Sequence, residues 1–127
     1  MYSESAMRPS KVVRTWVDAF IRADVEALAN IYREDAVSHQ VAESTVWGRG
    51  AIREMFAAEF ARAEMMCIVE NVFEDGEWAI LEWRDPKGLR SCGFFHVIQG
   101  KIAFQRGYWD KLSFLRLHGL PLAGDPK

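Results

Sequence analysis

The stretch that most constrains the fold is residues 94–110, because it contains two aromatic-rich strand patterns joined by a turn signal. It reads FFHVIQGKIAFQRGYWD, and the two patterns meet at Gln99-Gly100. Two more strand patterns precede it, separated by turn signals at 74–77 and 85–88 that contain Asp-Gly and Pro-x-Gly. Glycine supplies positive φ in such turns, and proline fixes a corner. The second half of the chain therefore predicts a four-stranded antiparallel meander, with strands at 65–73, 78–84, 89–98 and 101–111.

The first half of the chain has the spacing of helices. Apolar residues recur at helical intervals from Val12 to Ile21, with Ser10 as the expected N-cap. Asp24 is the expected cap of a shorter second helix, whose apolar stripe extends to Tyr32. A short strand at 37–41 and a loop at 43–47 follow. A third helix then opens at 48–50, and its Glu59, Arg62 and Glu64 are expected to face solvent.

Length and composition favour one domain over residues 1–127, since the chain has 127 residues and half of them are hydrophobic. The formal net charge is −2 and the basic residues are scattered, which gives no electrostatic footprint for nucleic acid or an acidic membrane. No run approaches the length of a membrane span, and the N-terminus has no apolar leader. Cys67 and Cys92 lack CxxC spacing and are expected to be free thiols in a reducing cytoplasm.

The C-terminal segment LSFLRLHGLPLAGDPK is too apolar for a free end. We expect it to pack on the domain or on a partner subunit, with His118 at the surface. Together with Phe104 and Tyr108 on the outer face of the sheet, this segment predicts a homodimer.

Three local segments resemble the nuclear-transport-factor-2-like (NTF2-like) superfamily, in particular its SnoaL-like polyketide cyclase and ketosteroid isomerase branches. They read VDAFIRADVEALANIYREDAV, GRGAIREMF and GKIAFQRGYWD. The resemblance covers most of residues 12–110. It implies an α+β fold in which three N-terminal helices pack on a strongly curved antiparallel sheet, forming a cone with an internal pocket. The superfamily includes isomerases, cyclases, hydrolases and binding proteins without chemistry, so the fold leaves the function open.

The resemblance also implies that two known catalytic sets are missing. Against the ketosteroid isomerase pattern, the general-base Asp falls on His39, the oxyanion-hole Tyr on Trp16, and the second oxyanion donor near Phe94. Against the limonene epoxide hydrolase pattern, WRDYFD becomes QRGYWD, so Gly107 replaces the water-activating Asp. Neither of these two reactions is expected.

Side-chain alternation along strands predicts the pocket lining. Gln105, Gly107 and Trp109 share one face, which by the resemblance looks into the pocket. The same register places Cys92, Phe94 and His96 inward, as well as Trp78, Ile80 and Glu82. The expected binding residues are Trp16, Phe20, Tyr32, Phe56, Phe94, His96, Gln105 and Trp109, and the expected ligand is a small hydrophobic or aromatic molecule. The alternative is that the aromatic residues are ordinary core and that His96 is hydrogen-bonded within the sheet.

His39 and Glu82 are the candidate catalytic residues, because a carboxylate can orient an imidazole that titrates near neutral pH. The alternative is that both are structural or face solvent. A metal site that includes His96 is not expected, since the chain has no local pairs of ligands, and no cofactor is expected.

Two functions stay open. One is a cofactor-independent isomerase, cyclase or hydrolase that acts on a small hydrophobic compound by His/Glu acid–base chemistry. The other is a non-catalytic ligand-binding or subunit-interaction module with the same fold.

Overall fold

The structure is a computed structural model that describes residues 8–62 and 66–122. Its helices are α1 (Pro9–Ile21), α2 (Val25–Ala29), α3 (Arg49–Arg62) and α4 (Lys111–Leu117). Its strands are β1 (Tyr32–Gln40), β2 (Val46–Trp47), β3 (Ile68–Asp75), β4 (Trp78–Arg84), β5 (Arg90–Ile98) and β6 (Lys101–Tyr108). The predicted strand start at Met65, and Glu64, lie outside the described residues. None of the described helices is long and apolar enough to cross a membrane.

The N-terminal helices form where the helical spacing predicted them. Helix α1 buries one apolar stripe, which includes the fully buried Val13. Ser10 is not its cap, because the helix already starts at Pro9 and the Ser10 backbone N–H donates to Glu74 of β3 at 2.9 Å. Asp24 caps α2 as predicted, accepting the Ala27 backbone N–H at 3.0 Å.

The strands form one six-stranded sheet in the order β2-β1-β6-β5-β4-β3. The predicted meander is confirmed, since β3 to β6 pair antiparallel in chain order. The prediction of a wholly antiparallel sheet was wrong, because β1 pairs parallel with β6. The sheet is also open, with β2 and β3 at its edges, and it does not curl strongly into a cone.

Strand β1 is longer than the predicted 37–41. It begins at Tyr32, which pairs with Ile102 of β6 instead of extending the stripe of α2. Ile102 also donates its backbone N–H to the Ile31 carbonyl at 2.8 Å, which fixes the start of β1 beside β6. Strand β2, in the predicted loop, adds a short antiparallel pairing to the other side of β1.

Both tight turns of the meander have the predicted chemistry. Gly76 has φ 59° between β3 and β4, and Gln99 and Gly100 have φ 51° and 80° between β5 and β6. Positive φ at both central residues, as at Gln99-Gly100, matches the right-handed twist of a hairpin, and so does positive φ at the first central residue alone, as at Gly76. These turns set which strands become neighbours.

We call the side of the sheet that packs on α1, α2 and α3 the inner face, and the opposite side the outer face. The inner face carries the buried core of the meander, which includes Ala79, Leu81, Phe95, Val97 and Ile102. The outer face carries a second aromatic set, in which Phe94 and Phe104 are half-buried and Trp78 is exposed. One sheet therefore presents two chemically distinct surfaces.

Candidate functional site

The predicted site residues divide between the two faces of the sheet. Trp16, Phe20, Tyr32, Phe56 and Gln105 lie on the inner side, and all of them are buried. Trp109 is half-buried just after β6. The prediction that Cys92, Phe94, His96, Trp78, Ile80 and Glu82 point inward was wrong, because they alternate with the buried residues of β4 and β5.

A single β-bulge explains this error. A regular hairpin that closes at Ile98↔Lys101 would pair Phe94 with Gln105. The register instead shifts between His96↔Phe104 and Val97↔Ile102, so that Phe95 pairs with Gln105. One extra residue on a strand moves every later side chain of that strand to the opposite face, relative to the partner strand.

The structure does not bring His39 and Glu82 together. Strand β1, which carries His39, is separated from β4, which carries Glu82, by β6 and β5. His39 Nδ1 accepts from Arg106 Nε at 3.3 Å, whereas Glu82 Oε1 accepts from Asn71 at 2.9 Å. The predicted orientation of His39 by Glu82 is therefore wrong.

The inner face carries a buried line of hydrogen bonds with a fixed direction. Trp16 Nε1 donates to the Tyr32 hydroxyl oxygen at 2.9 Å, and the Tyr32 hydroxyl bonds to Gln105 Oε1. An indole N–H can only donate, so the Tyr32 hydroxyl must donate its own proton to an acceptor. The acceptor is the amide oxygen of Gln105, and the Gln105 NH₂ group remains as a donor at the end of the line.

Ser38 adds a second polar group at this end. It is the strand neighbour of Gln105, and the residue is 1% exposed. Its hydroxyl has no hydrogen-bond partner among the described residues. A buried hydroxyl in this state costs about 1–3 kcal/mol.

The Gln40 side chain lies over Gly107, the position at which the epoxide hydrolase pattern has its water-activating Asp. A Cβ added to Gly107 would lie 2.0 Å from Gln40 Oε1, so the Gln40 amide lies directly over the glycine. Trp109 Nε1 holds that amide by donating to its oxygen at 3.1 Å. Glycine at 107 is therefore the residue that leaves room for this amide.

Glu59 of α3 adds a carboxyl group to the inner side. It was predicted to face solvent, but it is half-buried. Burial raises its pKa, the nearby Arg62 opposes this, and Glu43 adds to it. Its charge also acts on Tyr32, whose pKa is raised mainly by burial, although the hydrogen bond from Trp16 lowers it. A carboxyl with a raised pKa close to a buried hydrogen-bond line is a candidate acid or base.

Aromatic rings fill much of the space beside these polar groups. Trp16 stacks on Phe20 with ring centroids 5.0 Å apart, and it meets Phe95 edge-on at 5.4 Å. Phe56 contacts Trp16 at 6.2 Å and Tyr32 at 6.3 Å. The helical aromatics are therefore core residues that also form the wall around the polar line.

Sequence reasoning missed Ser38, Gln40 and Glu59. The first two alternate with His39 along β1, so side-chain alternation places them together on the opposite face of that strand. Glu59 follows the apolar Phe56 by three residues on α3, a spacing that places both on one side of a helix.

Similar folds occur among solved structures. A protein with a ketosteroid isomerase-like fold from Catenulispora acidiphila, in complex with trimethylamine, has TM-score 0.81 and 18% identity, covering 91% of this chain and 98% of that one. A putative polyketide cyclase from Sinorhizobium meliloti has TM-score 0.67 and 23% identity, covering 76% and 92%. An LEH-like epoxide hydrolase from M. tuberculosis has TM-score 0.74 and 18% identity, covering 88% of this chain and 87% of that one. At these identities the likeness shows a shared NTF2-like fold and nothing about activity.

The family assignment rests on sequence. The profile of the SnoaL-like domain matches residues 13–105, so the chain belongs to the SnoaL-like family. No curated protein shows a significant sequence match to the chain.

Proposed function

We propose that this protein binds a small hydrophobic compound carrying a carbonyl or hydroxyl oxygen, held against the inner face of the sheet. The observation that carries the proposal is the direction of the Trp16–Tyr32–Gln105 line, which leaves the Gln105 NH₂ group as a donor beside the unpartnered Ser38 hydroxyl. Two such groups suit one acceptor oxygen, and the surrounding aromatic rings suit an apolar body. Membership of the SnoaL-like family supports a small-molecule role.

We further propose that any chemistry at this site is cofactor-independent acid–base catalysis, as in an isomerase, cyclase or hydrolase. Glu59 is the candidate base, because burial raises the pKa of its carboxyl group and its charge acts on the same hydrogen-bond line. The Gln105 and Ser38 donors would stabilise negative charge on a substrate oxygen. His39 takes no part in this scheme, since it lies on the outer face.

A non-catalytic binding module is the second candidate. The close packing of Trp16 against Phe20 and Phe95 favours it, because tightly packed walls restrict the movement of a substrate. Turnover that is lost in Glu59→Gln would favour the enzyme, whereas unchanged ligand binding without turnover would favour the module.

The test of binding compares 1-tetralone with tetralin, which lacks the oxygen, by calorimetric titration. Ser38→Ala should weaken tetralone binding about five- to tenfold, the effect of one lost hydrogen bond, and leave tetralin binding unchanged. Ser91→Ala is the matched control, since Ser91 also has a buried hydroxyl without a partner but lies at the far end of β5. Equal losses in both variants, or no preference for the ketone in the wild type, would contradict the proposal.

The homodimer also remains a proposal. It is supported by the tail, where Leu112, Leu117 and Leu120 are 45%, 41% and 46% exposed. Tyr108, at the end of β6, is 43% exposed. Phe104 contributes less than expected, because it is half-buried in the outer face.

A further inference from the structure

Gln40 is a second amide side chain on the inner face of the sheet, and the proposed function does not use it. It pairs with Gly107 of β6, whereas Ser38, two residues earlier on β1, pairs with Gln105. The backbone N–H of Val41 donates to the Gly107 carbonyl at 2.9 Å, which continues this pairing past the end of β1. Gln40 therefore lies on the same face as the two donors of the proposed site, one step further along the strand.

The Gln40 amide has a fixed direction, as the Gln105 amide has. Trp109 Nε1 donates to Gln40 Oε1 at 3.1 Å, and the Trp109 ring is itself held edge-on by Phe114 at 5.5 Å. An indole N–H can only donate, so it keeps the oxygen of the amide towards the ring and leaves the NH₂ group as the free end. The Tyr32 hydroxyl has the same effect on Gln105.

Both NH₂ groups lie in accessible space. Within residues 8–62 and 66–122, neither the Gln40 nor the Gln105 NH₂ group has an acceptor. Of the polar side-chain atoms without a partner on the non-exposed residues of these ranges, only the Ser38 and Ser91 hydroxyl oxygens are completely enclosed. The two NH₂ groups therefore reach space that water or a ligand can enter, although Gln105 as a residue is only 4% exposed.

The two amides are drawn apart along β6. The Gln40 amide lies over Gly107, near the end of that strand. The Gln105 amide bonds to Tyr32, which pairs with Ile102 near the start of the strand. Two donors that are held in this way suit two separate oxygens better than one shared oxygen.

We propose that Gln40 is a specificity-determining residue that binds a second acceptor oxygen of the ligand, on the opposite side of one ring from the oxygen held by Gln105 and Ser38. Gln40 lies about 6.7 Å from Ser38 along β1, at the usual rise of a strand. This separation fits a six-membered ring with oxygens at opposite positions, as in a cyclic 1,4-diketone or 4-hydroxyketone. The inference rests on the proposed function, because it adds a second contact to the same bound molecule.

The experiment compares 1-tetralone with the separate enantiomers of 4-hydroxy-1-tetralone by calorimetric titration. In the wild type, the better enantiomer should bind about five- to tenfold more tightly than 1-tetralone, the effect of one added hydrogen bond. Gln40→Met keeps the shape of the side chain and removes its NH₂ group. It should bind 1-tetralone as the wild type does and lose the preference for the second oxygen. A purely structural Gln40 would instead weaken the binding of both compounds equally.

Trp109→Phe tests the same contact without changing Gln40. It removes the N–H donor that fixes the amide and keeps an aromatic ring, so the preference for the second oxygen should fall. Trp47→Phe is the matched control, since Trp47 is 72% exposed on β2, and it should keep the preference.

A wild type that prefers 1-tetralone to tetralin but gains nothing from the second oxygen would overturn this inference and leave the proposed function intact. A preference that persists in Gln40→Met, or that falls equally in Trp47→Phe, would also overturn it. A wild type that does not distinguish 1-tetralone from tetralin would overturn the proposed function, and the second contact with it.

Discussion

At the residue scale, the most informative side chain is Glu59, which the helical pattern predicted to face solvent and which is half-buried. Glu59 lies on the inner side of α3, and desolvation makes its charged form less favourable in the folded protein than in the unfolded chain. A carboxyl whose pKa is raised on folding lowers stability as the pH rises through its titration, and the loss is complete above the folded pKa. At neutral pH the charged Glu59 therefore lowers the free energy of unfolding, which a residue with a purely structural role has no reason to do.

Glu59→Gln should accordingly raise the free energy of unfolding at pH 8, and the gain should vanish once the pH falls below the pKa of the unfolded carboxyl. Urea denaturation at several pH values measures this. Glu54→Gln, on the same helix but with a side chain that is 74% exposed, should show no such pH-dependent gain. A gain that is the same at every pH would mean that burial does not raise the pKa of Glu59.

At the element scale, α4 is attached by a small number of contacts. None of its residues is fully buried. Phe114 meets Trp109 edge-on at 5.5 Å, and His118, directly after the helix, bonds through Nε2 to Asp85 Oδ2 at 2.8 Å. His118 was predicted at the surface but is half-buried by this contact. Of the tail predicted to pack on the domain or on a partner subunit, Phe114 and His118 contact the domain, whereas Leu112, Leu117 and Leu120 are exposed. Residues 123–127 lie outside the described part of the chain.

Asp85 remains charged in this position. Burial by itself would raise its pKa, but the hydrogen bonds from His118 and from the backbone N–H groups of Leu89 and Lys87 outweigh burial and lower it. Because its pKa is lowered on folding, its contribution to stability is present above the unfolded pKa and is lost as the pH falls.

His118→Ala should release α4 from the turn between β4 and β5. Hydrogen exchange of the α4 amides should become about tenfold faster, since one hydrogen bond contributes on the order of 1 kcal/mol to local opening. Arg116→Ala, at an exposed site of the same helix, should leave that exchange unchanged. Unaltered exchange in His118→Ala would show that the other contacts of α4, such as Phe114 with Trp109 and Lys87 Nζ with the Leu117 carbonyl, hold the helix.

At the scale of the whole molecule, the exposed leucines of the tail predict self-association. Light scattering at micromolar concentration should give about twice the chain mass, because a patch of this kind is usually covered. Leu117→Lys should shift the mass towards that of one chain. Ile21→Lys, which replaces a similarly exposed residue on α1 (43% against 41%), should leave the dimer intact. A wild type that is monomeric at these concentrations would contradict the prediction.

The sequence by itself determined the order of the helices, the meander and its turns. These features depend on local rules: the apolar spacing of α1, the Asp24 cap, and positive φ at Gly76 and Gly100. The apolar stripes of the helices also placed Trp16, Phe20 and Phe56 on the inner side, whereas the inward side of Gln105 was implied by the family resemblance.

Only the tertiary structure decided which face of β4 and β5 looks inward, and which strand lies beside β6. The first depends on one bulged residue near Ala103, and no local conformational preference of the sequence indicates this bulge. Because of it, Phe95 instead of Phe94 lies opposite Gln105. The second depends on the parallel pairing of β1 with β6, a contact between residues more than sixty positions apart. That pairing brings Ser38 to Gln105 and Gln40 to Gly107, and so places the donors of the candidate site on one side of the sheet.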